Sequence, residues 1–170
     1  MMLKSLILLL GLFGFIGCLE KKKCPEISYD KSFLDSIIKN CDTSYTKAYK
    51  PNEFAIAEYF ISRRDSTVCQ LMKAQDSTIR QIIIARNNIR IYFAECFPQG
   101  QLKAKLLFNR QGNYEGEGIY YYENGCVRYS GNFHNGLYTG EWKNFDSNGK
   151  LTSIDKYNES GQLQSSVSVQ

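Results

Sequence analysis

Gly116-Glu117-Gly118-Ile119-Tyr120-Tyr121-Tyr122-Glu123-Asn124-Gly125-Cys126-Val127 lies over Gly140-Glu141-Trp142-Lys143-Asn144-Phe145-Asp146-Ser147-Asn148-Gly149-Lys150-Leu151 at an offset of 24. The two stretches coincide at Gly-Glu, at an aromatic core, at Asn-Gly and at the apolar residue beyond. An earlier copy runs from Tyr92 through Pro98-Gln99-Gly100-Gln101-Leu102 and places its turn glycine 25 residues before Gly125. A second series of turns falls between these, at Gly112 to Gly116 and at Gly136 to Gly140, with Gly161 further on. Self-similarity at a fixed period of this size is the signature of a repeat architecture.

Each repeat reads as one β-hairpin. Asn124-Gly125 and Asn148-Gly149 predict tight type I′ turns, which need φ > 0 at both central residues. Between turns the residues alternate: Leu102, Ala104, Leu106 and Phe108 oppose Lys103 and Lys105, while Val127, Tyr129 and Phe133 oppose Arg128, Ser130 and Asn132. That is the period of a half-buried strand. A lone hairpin is marginal in water, so several must join into a meander with a continuous apolar face. The content of 12 Tyr and 10 Phe against three Pro favours strands in the same way.

Upstream, Ile79 to Ala85 and Ile89 to Phe97 read as strands around an Asn87-Asn88 turn. Phe33, Leu34, Ile37 and Ile38 mark one face of a helix between Ser28 and Cys41, with Asp30 or Ser32 as its cap. Tyr45 to Asn52 reads as a connecting loop, and the fold between residues 40 and 76 stays open.

The stretch Tyr129 to Gly136 followed by Gly140 to Leu151 resembles the MORN-type repeats of bacterial proteins, and the resemblance covers roughly residues 89–163. It implies an elongated, mostly single-layer antiparallel sheet. The expected fold is therefore mainly β, a meander of MORN-like hairpin repeats preceded by a small α+β N-terminal region. Some bacterial proteins with similar repeats are labelled antitoxin-like.

The N-terminus carries a second signal. Met1-Met2-Leu3-Lys4 is weakly basic, and Leu6 to Ile16 are eleven apolar or Gly residues. As a helix they rise roughly 16 Å, about half of a ~30 Å hydrocarbon core. This is the pattern of a secretory signal. Phe15-Ile16-Gly17-Cys18 resembles the lipobox of bacterial lipoproteins, with Phe15 where Leu is preferred. The resemblance implies that residues 1–17 are removed and that Cys18 receives palmitate-type acyl chains. Uncleaved anchoring, or ordinary secretion with a structural Cys18, are the alternatives. Several acyl chains at ~0.8 kcal/mol per buried CH₂ hold a soluble domain stably. Lys21, Lys22 and Lys23 add ~1 kcal/mol each at an anionic leaflet. The expected location is the cell envelope, on the exported side of a membrane, and by resemblance to Gram-negative lipoproteins the outer membrane or periplasmic face.

The net charge of +4 does not point to nucleic acid. Residues 98–170 hold seven basic and seven acidic side chains, and between Cys18 and Phe97 the excess of three equals the lysine run 21–23. A folded nucleic-acid binder carries its surplus as a surface patch instead.

Export makes disulfides admissible for Cys24, Cys41, Cys69, Cys96 and Cys126. Five is odd, so at least one stays free or pairs between chains. A Cys24–Cys41 bridge across the helix is expected first, worth ~3 kcal/mol in the chain-entropy model. With no CxxC and only His134, zinc has few ligands to use, and no metal or cofactor is expected. No GxSxG, HExxH, P-loop or dinucleotide fingerprint is present. Cys126 and His134 lie roughly 26 Å apart along one extended strand, too far for a dyad.

No catalytic residue is therefore assigned. The candidate binding face is Tyr120, Tyr122, Tyr138 and Trp142, since Tyr and Trp combine large area with a polar tip. The expected organisation is a signal peptide at 1–17, lipidated Cys and basic tether at 18–28, an α+β region at 29–78, repeats at 79–164 and a tail at 165–170. The expected function is a membrane-anchored, non-catalytic interaction or scaffold module with a protein or envelope partner. An antitoxin or immunity-like protein and an envelope enzyme are the alternatives.

Overall fold

The computed structural model describes residues 24, 28–49 and 54–169. The leader, with Phe15, Ile16, Gly17 and Cys18, lies outside the described residues. No helix among the described residues is long and apolar enough to cross a membrane.

Helix α1 (Lys31–Lys39) starts at Asp30, whose carboxylate accepts from the Phe33 backbone N–H at 2.9 Å. Eleven strands follow: β1 (Thr43–Ala48), β2 (Ile56–Ser62), β3 (Thr67–Lys73), β4 (Ile79–Arg86), β5 (Ile89–Cys96), β6 (Leu102–Leu107), β7 (Gly116–Tyr121), β8 (Val127–His134), β9 (Leu137–Phe145), β10 (Leu151–Tyr157) and β11 (Leu163–Ser168). They form one antiparallel sheet in strict chain order, β1 to β11. The fold is thus the expected β-meander with one short N-terminal helix.

Two expectations about the elements need correcting. Tyr45 to Ala48 belong to β1, which is exposed along five of its six residues and so gives no apolar alternation to read. The α+β region expected at 29–78 holds α1, β1, β2 and β3, and these strands are the first of the same sheet as the repeats. The tail expected at 165–170 is mostly β11, a wholly exposed, Ser-rich edge strand that pairs with β10 from Ser153↔Ser168 to Tyr157↔Leu163.

The turns explain how the meander holds its pitch. At Asn124-Gly125 and Asn148-Gly149 only the glycines have positive φ, 83° and 79°. Tyr122 N–H donates to Cys126 O and Gly125 N–H to Tyr122 O, and Asp146, Gly149 and Lys150 repeat the pattern. These are three-residue loops ending in a left-handed glycine, not the type I′ turns expected. The same pair of bonds recurs at 74–78, 97–101, 109–113 and 158–162. In three copies the first residue is Asp or Asn and its side chain accepts two backbone N–H groups, as at Asn109, Asp146 and Asn158. Two-residue turns with both φ positive occur instead at Asn87-Asn88 and Asn135-Gly136.

Because the strands alternate in direction, the turns at 74–78, 97–101, 122–126 and 146–150 share one end of the sheet. Those at 63–66, 87–88, 109–113, 135–136 and 158–162 share the other. Neighbouring turns are bonded to each other: Asn124 Nδ2 donates to Ser147 O at one end, and Asn109 Nδ2 to Asn135 Oδ1 at the other.

The core has two parts. Leu34 of α1 is 4% exposed and packs with Cys69, Leu71, Ile82, Ile84, Tyr92 and Ala94, with Ile37, Ile38 and Tyr121 at the margin. Complete burial of a side chain such as Ile82 or Ile84 stabilises the fold by ~1.5–3 kcal/mol. The second part is Leu106, Phe133 and Trp142, ringed by Phe93, Phe108, Tyr120, Tyr129 and Tyr157.

Candidate interaction face

The second core is built by register. Residues directly opposite in an antiparallel pair share a face. Tyr120 pairs with Tyr129, Tyr129 with Asn144, Phe133 with Tyr138, and Trp142 with Asp155. One face of the repeat sheet therefore collects the rings from four strands. Tyr120 stacks on Tyr129 with centroids 4.2 Å apart. Trp142 meets Tyr138 edge-on at 4.4 Å and Phe133 at 4.9 Å, and Tyr138 stacks on Tyr157 at 5.2 Å. Such pairs add about 0.5–1.5 kcal/mol each beyond area burial.

Two glycines make room for the rings. A Cβ at Gly118 would lie 2.5 Å from Phe133, and one at Gly131 would lie 2.4 Å from Trp142. Phe133 and Trp142 lie on bare backbone, so the sheet covers its own apolar face on the side opposite α1, since Phe93 of the ring cluster alternates along β5 with Tyr92 and Ala94 of the α1 core.

Of the four candidate binding residues, Trp142 is corrected: it is 3% exposed, and its indole N–H is spent on Asn132 O at 3.1 Å. Its role is packing. Tyr120 is half-buried within its stack, which pushes its phenol pKa up by desolvation. Tyr122 donates its hydroxyl to Phe145 O at 2.9 Å. Tyr138 remains 39% exposed. Tyr122, Tyr138 and Trp142 border one open recess of about 440 Å³. Tyr120 stands outside it.

The recess adds Arg128, Asn144, Asp155 and Tyr157, which sequence reasoning did not assign. The guanidinium of Arg128 sits 5.9 Å from the Tyr122 ring centre and 5.7 Å from that of Tyr129. Asn144 Nδ2 donates to Asp155 Oδ2 at 2.9 Å and to Ser153 Oγ at 3.1 Å. The pairing of β9 with β10 brings Asp155 and Tyr157 here, and the period of 24 already placed β10 beside β9. Rings with a polar margin can take up a partner's apolar group and orient it by hydrogen bonds.

The cysteines overturn the expected bridge. Cys24 is joined to Cys126, 102 residues away, with Cα atoms 5.1 Å apart, and Cys41 is free. Cys41 follows α1 and turns its thiol to Ile37 O at 3.4 Å, within its own helix end. Cys69 and Cys96 are free and buried, and burial pushes their thiols up to about 12 and about 11. Cys126 thus offers no thiol for catalysis. His134 ends β8 with Nδ1 3.0 Å from Glu115 Oε1. Glu115 is held below the usual carboxylate range by the Asn135 backbone N–H and by His134. No group of three or more His, Cys, Asp or Glu is arranged to hold a metal ion among the described residues.

These features define a class: a single antiparallel sheet of hairpin repeats that buries rings over glycines. Residues 114–135 and 138–158 match the MORN repeat variant model, so the chain carries MORN-type repeats in β7–β8 and β9–β10. The first copy around Phe97 to Gln101 lies outside the matched segments, yet it closes with the same turn bonds. A comparison with curated proteins finds no match. Among solved structures, the chain is similar to a mutant of S. aureus TarM in complex with Fondaparinux, alpha-GlcNAc-glycerol and UDP, at 14% identity and a TM-score of 0.36. The similarity covers 84% of this chain but only 24% of that one.

Proposed function

We propose that this protein is exported, held on the outer side of a bacterial membrane by acylated Cys18, and serves as a non-catalytic module whose repeat face binds a protein or envelope partner. The observation that carries the reading is the Cys24–Cys126 disulfide. Bridges of this kind persist outside the reducing cytosol, which agrees with an apolar leader too short to span a bilayer.

The chemistry of the side chains favours binding over catalysis. The thiolate is the reactive form of cysteine, and burial holds Cys69 and Cys96 in the thiol form. The exposed ring of Tyr138 beside Arg128, Asn144 and Asp155 is suited to contact, since rigid aromatic groups give area at low entropic cost.

Growth with a fatty-acid analogue tests the anchor: label is expected on the natural chain and lost in Cys18→Ala. A photoreactive residue in place of Tyr138 tests the face, with one cross-linked neighbour expected and no product from the same group at Glu141. Absent label together with an intact Met1 in the mature protein overturns export. A toxin as the captured neighbour makes the module antitoxin-like.

A further inference from the structure

We propose that the Cys24–Cys126 bridge sets which end of the sheet faces the membrane, holding the 122–126 and 146–150 turns against the lipid surface and the opposite turns away from it. This rests on the anchored reading above and adds an orientation to it.

The argument is one of reach. Cys24 is the sixth residue after Cys18, and an extended chain spans at most about 3.3–3.6 Å per residue, so the tether reaches at most about 20 Å. The bridge fixes its far end at the β7–β8 turn. It also lies against the β9–β10 turn, because a Cβ at Gly149 would be 3.2 Å from Cys24 Sγ and 3.8 Å from Cys126 Sγ. The nine residues of β9 run about 30 Å at ~3.3 Å each. The turns at 109–113, 135–136 and 158–162 therefore lie a strand length beyond the bridge. A tether of at most about 20 Å cannot reach the lipid with the far turns down and the bridge about 30 Å above them, so the bridge end is the one held to the membrane.

Without the bridge, the first described residue packed on the sheet is Tyr29. The tether then has eleven residues and reaches about 37 Å, longer than a strand. Either end of the sheet touches the membrane in that case. The exposed residues at the bridge end are short and polar or of mixed charge, such as Glu123, Asn124, Asn148 and Lys150. That end abuts headgroups without inserting. The strands then run away from the membrane, and the ring-bearing face looks sideways into the space beside it.

The test uses the full acylated protein in vesicles of phosphatidylethanolamine and phosphatidylglycerol that carry a photoactivated cross-linker on the headgroup. Adducts are expected about ten-fold enriched on the 122–126 and 146–150 turns over the 109–113 and 158–162 turns. In Cys24→Ser the ratio is expected near one, while Cys41→Ser keeps the enrichment. Near-ultraviolet dichroism shows whether the Cys24→Ser sheet is intact. If it is not, six Gly-Ser residues inserted between Lys23 and Cys24 lengthen the tether with the bridge in place, and the enrichment is again expected to vanish. Even adducts in acylated, vesicle-bound natural protein overturn the orientation alone. Unacylated Cys18 in a protein that does not bind vesicles overturns the anchor and the orientation together.

Discussion

The indole of Trp142 lies flat against Gly131, so closely that a Cβ there would stand 2.4 Å from Trp142 Cδ2. The pairing on either side explains the fit. Ser130 pairs with Lys143 and Asn132 with Thr139, so β9 carries extra residues opposite Gly131 and its ring drops onto the neighbouring backbone. A glycine in a strand normally weakens it by leaving nothing to pack. Here the ring of the next strand replaces the missing side chain.

Gly131→Ala therefore drives the indole out of its seat, at a cost of ~1–3 kcal/mol as overpacking. Trp142→Ala removes the ring itself and costs ~3–5 kcal/mol. Urea unfolding checks both, followed by the fluorescence of the single Trp for the first and by circular dichroism for the second. An unchanged midpoint for Gly131→Ala would show that the ring gives way freely.

The repeats were legible because their period is carried by turn and strand residues together. Gly125 and Gly149 mark the same turn 24 residues apart, and alternation from Leu102 to Phe108 gives strand and face. The type of turn was not legible, since Asn-Gly serves both a two-residue turn and a three-residue loop. Only the bonds from Tyr122 to Cys126 and from Gly125 to Tyr122 separate them. The Ser77 turn was hidden for the converse reason: it has the geometry, with φ 66°, but no glycine. The burial of Trp142 depends on Gly131 of another strand, and so does not follow from the β9 sequence alone. The Cys24–Cys126 bridge crosses 102 residues, and spacing favours the nearer partner that the α1 end turns away.

That bridge closes a long loop, and in the chain-entropy model a loop of about 100 residues gives ~4–5 kcal/mol. Cys126→Ser is expected to lower the urea midpoint by the equivalent amount, and Cys41→Ser to leave it nearly unchanged. Thiol titration of the unfolded, unreduced mature protein supplies a second check. Three thiols are expected from Cys41, Cys69 and Cys96 if Cys18 is acylated. Cys126→Ser raises the count to four by freeing Cys24.

Gly112 isolates the cost of backbone conformation from that of space. Its φ is +82°, and nothing lies within 4 Å of a Cβ built there. Gly112→Val must hold a β-branched residue in the left-handed region and is expected to lose ~1–2 kcal/mol or more. Gly112→Asn loses less, because Asn visits that region more readily. Equal midpoints for the two variants in thermal unfolding would show that the turn had rearranged.

Acid sensitivity should come from the turn and cap carboxylates. Asp146 is held below its ordinary value of 3.8 chiefly by the backbone N–H of Lys150, with that of Asn148 adding to it, and Asp30 chiefly by the N–H of Phe33. A carboxylate whose pKa is lower in the folded state binds protons more readily when unfolded. Its contribution is complete above the unfolded pKa and is lost as pH falls from there through the folded value. The protein is thus expected to lose stability as pH drops below about 4. Asp146→Asn separates the charge from the hydrogen bonds, because Asn109 and Asn158 hold equivalent turns with a neutral side-chain oxygen. The variant should keep the hairpin and show a smaller drop in Tm between pH 7 and pH 3 than the natural chain. Asp146→Ala lacks the acceptor as well, so its Tm should be lowered already at pH 7. A natural-sized drop in Asp146→Asn would assign the acid sensitivity to other carboxylates, of which Asp42, Asp65, Asp76 and Glu115 are held low by similar bonds.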